Sequence, residues 1–256
     1  MPPDPHTPNR SLGCPNCGAA GGSDFCPDCG QDNRRGRLDG RHLLGEFLQN
    51  LADLDTSLLR TLRGLVRSPG GLAADYVAGR RARYVSPLRF FLGATALFLL
   101  VHRLTGLDLD AGLGMGVSIT GGPGDAAGRA EAARGFIASH LDAVVVIALP
   151  VIAAFQRLLF RGFDRNYAET LVYLFFVQGQ LFLYDIALLS VGFWRQEAVV
   201  PARLALHLLM LCTANRAFYG ASWPRSVTLG LLGTAGYLLI MGIVAGLVVA
   251  LTLFFA

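Results

Sequence analysis

An all-α fold made mostly of membrane-spanning helices is what the sequence predicts, on three observations. The chain of 256 residues is 53% hydrophobic and only 16% charged, with a mean hydropathy of +0.46. A soluble domain of this length needs more charge to cover its surface. Its apolar residues gather into five runs of about twenty residues, the length that crosses a hydrocarbon core. The 22 basic residues are all Arg, and many sit beside those runs, the arrangement that orients a bundle by cytoplasmic positive charge. A net charge of +4 also raises nucleic-acid binding, but arginines at the ends of apolar runs argue against that partner.

The elements follow in chain order. Residues 1–13, "MPPDPHTPNRSLG", are Pro-rich and polar with no apolar core, and read as a disordered lead-in rather than an export signal. The head is therefore expected in the reducing cytoplasm, where paired cysteines read as metal ligands rather than disulfides.

Residues 14–31 carry Cys14, Cys17, Cys26 and Cys29 in a C-x2-C-x8-C-x2-C pattern. Zinc takes four thiolates in a tetrahedron, and each CxxC turn offers two sulfurs to one ion. Gly18 and Gly30 follow the second cysteine of each pair and allow the backbone to turn tightly, with amides aimed at the sulfurs. The spacer "GAAGGSDF" is too short for a core of its own, so the metal has to hold this zinc ribbon together. A dithiol redox site normally uses a single pair at a helix start, and two matched pairs favour structural zinc. With all four positions filled by protein, the ion is a fold element and a docking surface for a protein partner.

Residues 41–84 are expected to form amphipathic cytoplasmic or interfacial helices. Leu44, Phe47, Leu48, Leu51, Leu54, Leu58, Leu62 and Leu65 recur at three- and four-residue steps and form one stripe. The stripe can face the protein itself, a coiled-coil partner or the headgroup layer, and packing on the protein is the simplest reading. "SPGG" at 68–71 ends this helix. Arg80, Arg81, Arg83 and Arg89, with Tyr84 among them, crowd the entrance to the first apolar run and are expected to anchor it at the membrane interface.

Residues 85–256 should form the five-span bundle, with spans near 86–105, 141–160, 168–193, 202–221 and 227–255. With the N-terminus inside, Arg157, Arg161 and Arg165 fall in one cytoplasmic loop and Arg216 and Arg225 flank another. The loop 106–140 and the C-terminus then lie outside. Pro150 should kink the second span. On the third span, Glu169, Tyr173, Gln180 and Tyr184 project to one face within about 60°, with Gln178 and Asp185 nearly opposite. Asp185 sits below the surface, where an ionisable group needs a partner or a water-filled cavity. Tyr184 and Gln178 nearby, or His207 and Asn215 of the next span, are its expected partners. The functional reading is a substrate or proton site, and the plain one is a hydrogen-bonded Asp joining two helices. Cys212 reads as a small buried hydrophobe. Ala235, Gly242, Gly246 and Ala250 share a face of the last span and permit close helix contact, within the chain or between two copies.

No nucleophile elbow, phosphate loop, HExxH or paired-carboxylate pattern occurs, and no inverted repeat is evident. The chain is expected not to be an enzyme. The order of its motifs, "CPNCG…FCPDCGQ", "TLRGLVRSPGGLAADYVAGRRARYVSPL", "NYAETLVY" and "ANRAFYGASW", resembles a bacterial family of zinc-ribbon-headed multi-pass membrane proteins of unknown function. The resemblance covers nearly the whole chain and implies a bacterial inner-membrane location without implying a reaction. Members look His-rich after the "YAE" equivalent, whereas this chain has Thr170, Phe176 and Gln178 there. The expected role is a binding, scaffolding or regulatory module with membrane lipids, a ribbon-docking protein or a second copy as partners. The alternative is a small-molecule or lipid transporter with Asp185 lining its pathway.

Overall fold

In a computed structural model of the protein, residues 13–20, 24–33, 55–105, 141–192 and 196–255 are described. The expectations for the lead-in 1–12, for the stripe before Asp55 and for the loop 106–140 lie outside the described residues. Seven helices are present among those described: α1 Asp55–Arg67, α2 Pro69–Val77, α3 Pro87–Thr105, α4 Leu141–Leu159, α5 Tyr167–Gly192, α6 Gln196–Tyr219 and α7 Trp223–Phe255. The last five fall on the five apolar runs.

The stripe of α1 is one-sided. Leu58, Leu62 and Leu65 pack on the core, while Leu59 and Val66 remain 71% and 70% exposed. Thr61 is fully buried and works twice: its hydroxyl donates to the Ser57 carbonyl and accepts the Val85 amide at 3.0 Å. The SPGG stretch stops one helix and starts the next. Ser68, in extended conformation, accepts the Gly71 amide through its hydroxyl, and Pro69 opens α2 with the fixed φ that suits a first helical position.

In packing terms α2 belongs with the bundle. Leu72, Ala73 and Tyr76 are buried, and Tyr76 meets Phe176 edge-on at 5.7 Å. Gly70 lies directly on α6, where an added Cβ would stand 2.0 Å from the Ala214 carbonyl oxygen. No residue with a side chain fits that crossing.

An aromatic ladder fixes helix direction. Phe91 stacks on Phe175 at 5.4 Å and Phe98 on Phe182 at 5.1 Å, so α3 and α5 run the same way. Offset aromatic pairs contribute about 0.5–1.5 kcal/mol beyond area burial, and that contribution survives in lipid, where apolar burial drives little. Tyr173 meets Phe218 near one end and Asp185 meets Arg203 near the other, so α6 runs back along α5. Gly230 lies against Cys212 and Tyr237 against His207, which turns α7 back again. The bundle therefore alternates, and the starts of α3, α5 and α7 share one end with the finishes of α4 and α6.

Residue chemistry explains the helix ends. Asn166 and Glu169 form a reciprocal cap on α5: the Glu169 amide donates to Asn166 Oδ1 at 2.8 Å and the Asn166 amide donates to Glu169 Oε2 at 3.0 Å. Glu169 is buried for this reason and is no intramembrane oddity. Pro150 lies within the continuous helix α4.

Two stretches, Tyr167–Leu188 and Trp223–Val244, are long and apolar enough to span a membrane by length and composition. The expected five apolar runs recur as helices, but the apolar stretches of α3 and α4, Pro87–Val101 and Ala148–Leu159, are shorter. The helix α6 carries Arg203, His207, Asn215 and Arg216 along its length. Within the last helix, a Cβ added at Gly242 or Gly246 would meet nothing within 4 Å among the described residues. Helix contact uses Gly230 and Gly236 instead, because Cys212 and Phe155 lie on that side.

Candidate metal centre and buried polar seam

The two halves of the ribbon are built alike. Gly18 N–H donates to the Cys14 carbonyl and Gly30 N–H to the Cys26 carbonyl. The Cys14 amide returns to Ala19 O and the Cys26 amide to Gln31 O, all at 2.8–2.9 Å. Gly18 and Gly30 hold φ of +78° and +69°, the left-handed region where a side chain is strained. Their own amides close the turns onto carbonyls and do not point at sulfur. An isolated antiparallel bridge joins Phe25 to Asp32 in the second half.

These turns bring the four sulfurs within 4.8 Å of one another. The Cys14–Cys29 and Cys17–Cys26 separations are 3.6 and 3.5 Å, and all four cysteines are free of disulfides. Sulfurs at about 2.3 Å from one tetrahedral zinc stand about 3.8 Å apart, close to both of these separations. Burial alone raises the Cys29 thiol, but hydrogen bonds from the Asn16 side chain and the Gln31 backbone outweigh it and bring it down to about 7. The Ala19 backbone lowers neighbouring Cys17, but hydrogen bonds to the other three cysteine sulfurs push it the other way, up to about 12. The four cysteines can hold one metal ion. Cys14 and Cys26 are buried, whereas Cys17 faces outward.

The ribbon is clasped to the turn between α2 and α3. Gln31 is 5% exposed, and its Oε1 accepts the Ala82 amide at 2.9 Å. Arg83 donates through Nε to Asn16 Oδ1 at 3.0 Å and through Nη2 to the Asn16 carbonyl at 2.6 Å. Gln31 and Asn16 were not foreseen as functional; Gln31 closes the CxxCGQ motif, and that was its one signal. The four arginines expected at the interface have different fates. Arg80 pairs with Asp75, Arg83 holds the ribbon and Arg81 is buried. Arg89 keeps Nη2 buried with no hydrogen-bond partner among the described residues. Tyr84 also reaches Asp75, and burial together with that carboxylate raises its phenol above the ordinary value.

Asp185 is 7% exposed and paired, but with a residue the sequence reading did not choose. Arg203 grips it with two parallel bonds, Nε to Oδ1 and Nη2 to Oδ2, both at 2.9 Å. His207 sits one helical turn further along α6 from Arg203 and packs on the Tyr237 ring at 5.3 Å. A bidentate guanidinium satisfies a carboxylate better than an imidazole can, which is the physical reason for the correction. Asn215 joins a separate cluster, accepting from Tyr173 at 2.8 Å and from Gln156 at 3.3 Å. Gln180 donates to the Leu65 carbonyl of α1 and to Tyr184, and its Oε1 is buried without a partner. Gln178, His207 and Asn215 line a cavity of about 20 Å³ together with Gln156 and Tyr237. A water needs roughly 10–15 Å³, so this space holds about one. Asp185 is not among its walls. The six polar residues expected together thus divide among an ion pair, a link to α1 and a small cavity.

No curated protein and no solved structure matches this chain. Residues 55–99, which run from α1 through the ribbon-docking turn into α3, match a family model described as "Protein of unknown function (DUF3667)".

Proposed function

We propose an integral membrane protein whose cytoplasmic zinc ribbon is a built-in part of a five-span bundle. It works as a binding, scaffolding or regulatory module without a reaction of its own. The observation that carries this reading is the clasp of Gln31 and Asn16 on residues 82 and 83. A head meant only to trail on a tether needs no such contact. A partner or signal that moves the ribbon pulls directly on the turn that leads into α3. The outward-facing leucines of α7, among them Leu231, Leu238, Leu239 and Leu247, support contact with lipid. So does the alternating helix order, which collects most of the described arginines at the ribbon end. A bacterial inner membrane, with the ribbon inside and the C-terminus outside, fits that charge bias. Partners of this reading are membrane lipids, a protein on the outer ribbon face, and a second copy against the Gly242 and Gly246 face.

Transport through a path containing Asp185 is the second reading, and the buried Asp185–Arg203 pair is what favours it. A cavity of one water, with Asp185 outside it, supports the packed module instead. The test is a reporter fused after Ala256 combined with zinc analysis of the full chain. Reporter activity on the outside and one zinc per chain are expected. Activity confined to the cytoplasm, or no zinc, overturns the reading.

A further inference from the structure

Five arginines meet at the end of the bundle formed by the α4–α5 and α6–α7 connections. Arg157 closes α4, Arg161 and Arg165 lie in the turn after it, Arg216 is in the last turn of α6 and Arg225 begins α7. Ring contacts tie these segments together. Phe160 stacks on Tyr219 at 4.0 Å, and Phe163 lies 5.5 Å from the same ring. Arg225 sits 4.5 Å over Phe163, Arg216 4.6 Å over Trp223 and Arg165 4.7 Å over Phe218. Arg165 also donates to the Phe218 carbonyl at 3.1 Å.

An aromatic face beneath a guanidinium holds its plane without using its N–H donors. The Arg80–Asp75 and Arg203–Asp185 ion pairs involve none of the five, and exposed Asp164 lies in the same turn as Arg161 and Arg165. Arg161, Arg216 and Arg225 are exposed, and Arg157 is half-buried. Trp223 and Tyr167 stand half-exposed beside them, and Tyr167 is tied by its hydroxyl to the Pro150 carbonyl at 3.1 Å. Positioned and mostly exposed guanidinium forks, ringed by amphipathic aromatics, match the phosphate layer of a leaflet. Phosphate oxygens accept guanidinium bonds in pairs, and Trp and Tyr prefer that depth.

We propose that this end of the bundle binds anionic phospholipid headgroups, with Arg157, Arg161, Arg216 and Arg225 taking the phosphates. Arg165, held on Phe218, stiffens the platform. The site differs from Arg80 and Arg83, whose donors go to Asp75 and to the ribbon. The proposal rests on the membrane reading above.

Native mass spectrometry of the full, zinc-loaded chain in neutral detergent provides the test, with phosphatidylglycerol and phosphatidylcholine of matched chains as probes. The chain should retain phosphatidylglycerol at far lower lipid concentration than phosphatidylcholine. Changing Arg157, Arg161 and Arg225 together to Gln should cost about fivefold per arginine, roughly a hundredfold in all. The matching set of Lys replacements should keep most of the preference, since it keeps the charge. Equal retention of both lipids by the native chain overturns the proposal. So does an unchanged preference in the Gln set, or retention of inorganic phosphate without lipid preference. Carbonate washing of membranes separates the two possible failures. A chain released by the wash refutes the membrane reading, whereas one that stays but ignores headgroup charge refutes this site alone.

Discussion

The ribbon and the bundle are stabilised by different physics. Among the described residues of the ribbon, only Cys14, Cys26 and Gln31 are buried, and two of those three belong to the cysteine cluster that can hold a metal ion. The bundle encloses Phe91, Phe176, Phe182, Tyr173 and Phe218 almost completely. One region has four cysteines that can hold an ion in place of a core; the other has a core of its own side chains. Their junction is made of a few polar bonds at residues 82 and 83, which can open without tearing a core. A conditional head on an unconditional body is the arrangement a reversible contact requires.

Removing the metal should separate the two most sharply. Thiolate–zinc binding contributes on the order of 10 kcal/mol in small zinc domains, more than the whole of a typical ribbon's remaining stability. Cys14→Ser with Cys26→Ser is expected to lose the zinc and expose residues 13–33 to protease, while far-UV circular dichroism keeps its helical signal. A bundle that loses its helices along with the metal would erase the contrast.

The reverse experiment acts on the body. Asp185→Asn leaves the Arg203 charge without its carboxylate, and breaking one side of a buried pair costs about 3–5 kcal/mol. Thermal unfolding in detergent should show that loss with zinc content unchanged. Asp185→Leu combined with Arg203→Met should recover most of it, because the cost belongs to the stranded charge. If the double variant is no better than the single one, the pair is doing more than holding two helices.

The smallest effect is expected at the junction. Gln31→Ala strands the Ala82 amide, a loss of about 1–3 kcal/mol. The ribbon should keep its zinc and the bundle its melting temperature, while protease cuts the 78–86 turn faster. A change in zinc affinity instead would mean that Gln31 serves the metal and not the clasp.

What could be read in advance followed the range of the interaction. Cysteine spacing sets ligand geometry within a few residues, so the cluster was legible. The apolar runs marked the five bundle helices, the first three closely and the start of α6 six residues late, because length and composition are local. "NYAE" is a local signal too, and its reciprocal cap explains why Glu169 tolerates burial. Helical projection put Asp185 on the right side of α5, but side alone could not choose between Arg203 and His207, one turn apart on α6. Gln31 and Asn16 bond to residues 51 and 67 positions away, and no periodicity announces such a contact. The shared face of Tyr173 and Gln180 was also misleading, since one meets α6 and the other α1.

The packing of α2 has a consequence for how the chain is made. Its crossing partner Ala214, and Gln180, which bonds the end of α1, are synthesised long after it; Gln180 follows Leu65 by 115 residues. At ribosomal speeds of about 5–20 residues per second, that delay is on the order of ten seconds. During it, Leu72 and Tyr76 have none of the α5 and α6 surface that finally covers them. The ribbon, by contrast, has every ligand it needs before α1 has emerged. Metal loading can therefore precede assembly of the bundle, and the α1–α2 pair must wait, half-covered, for helices not yet translated.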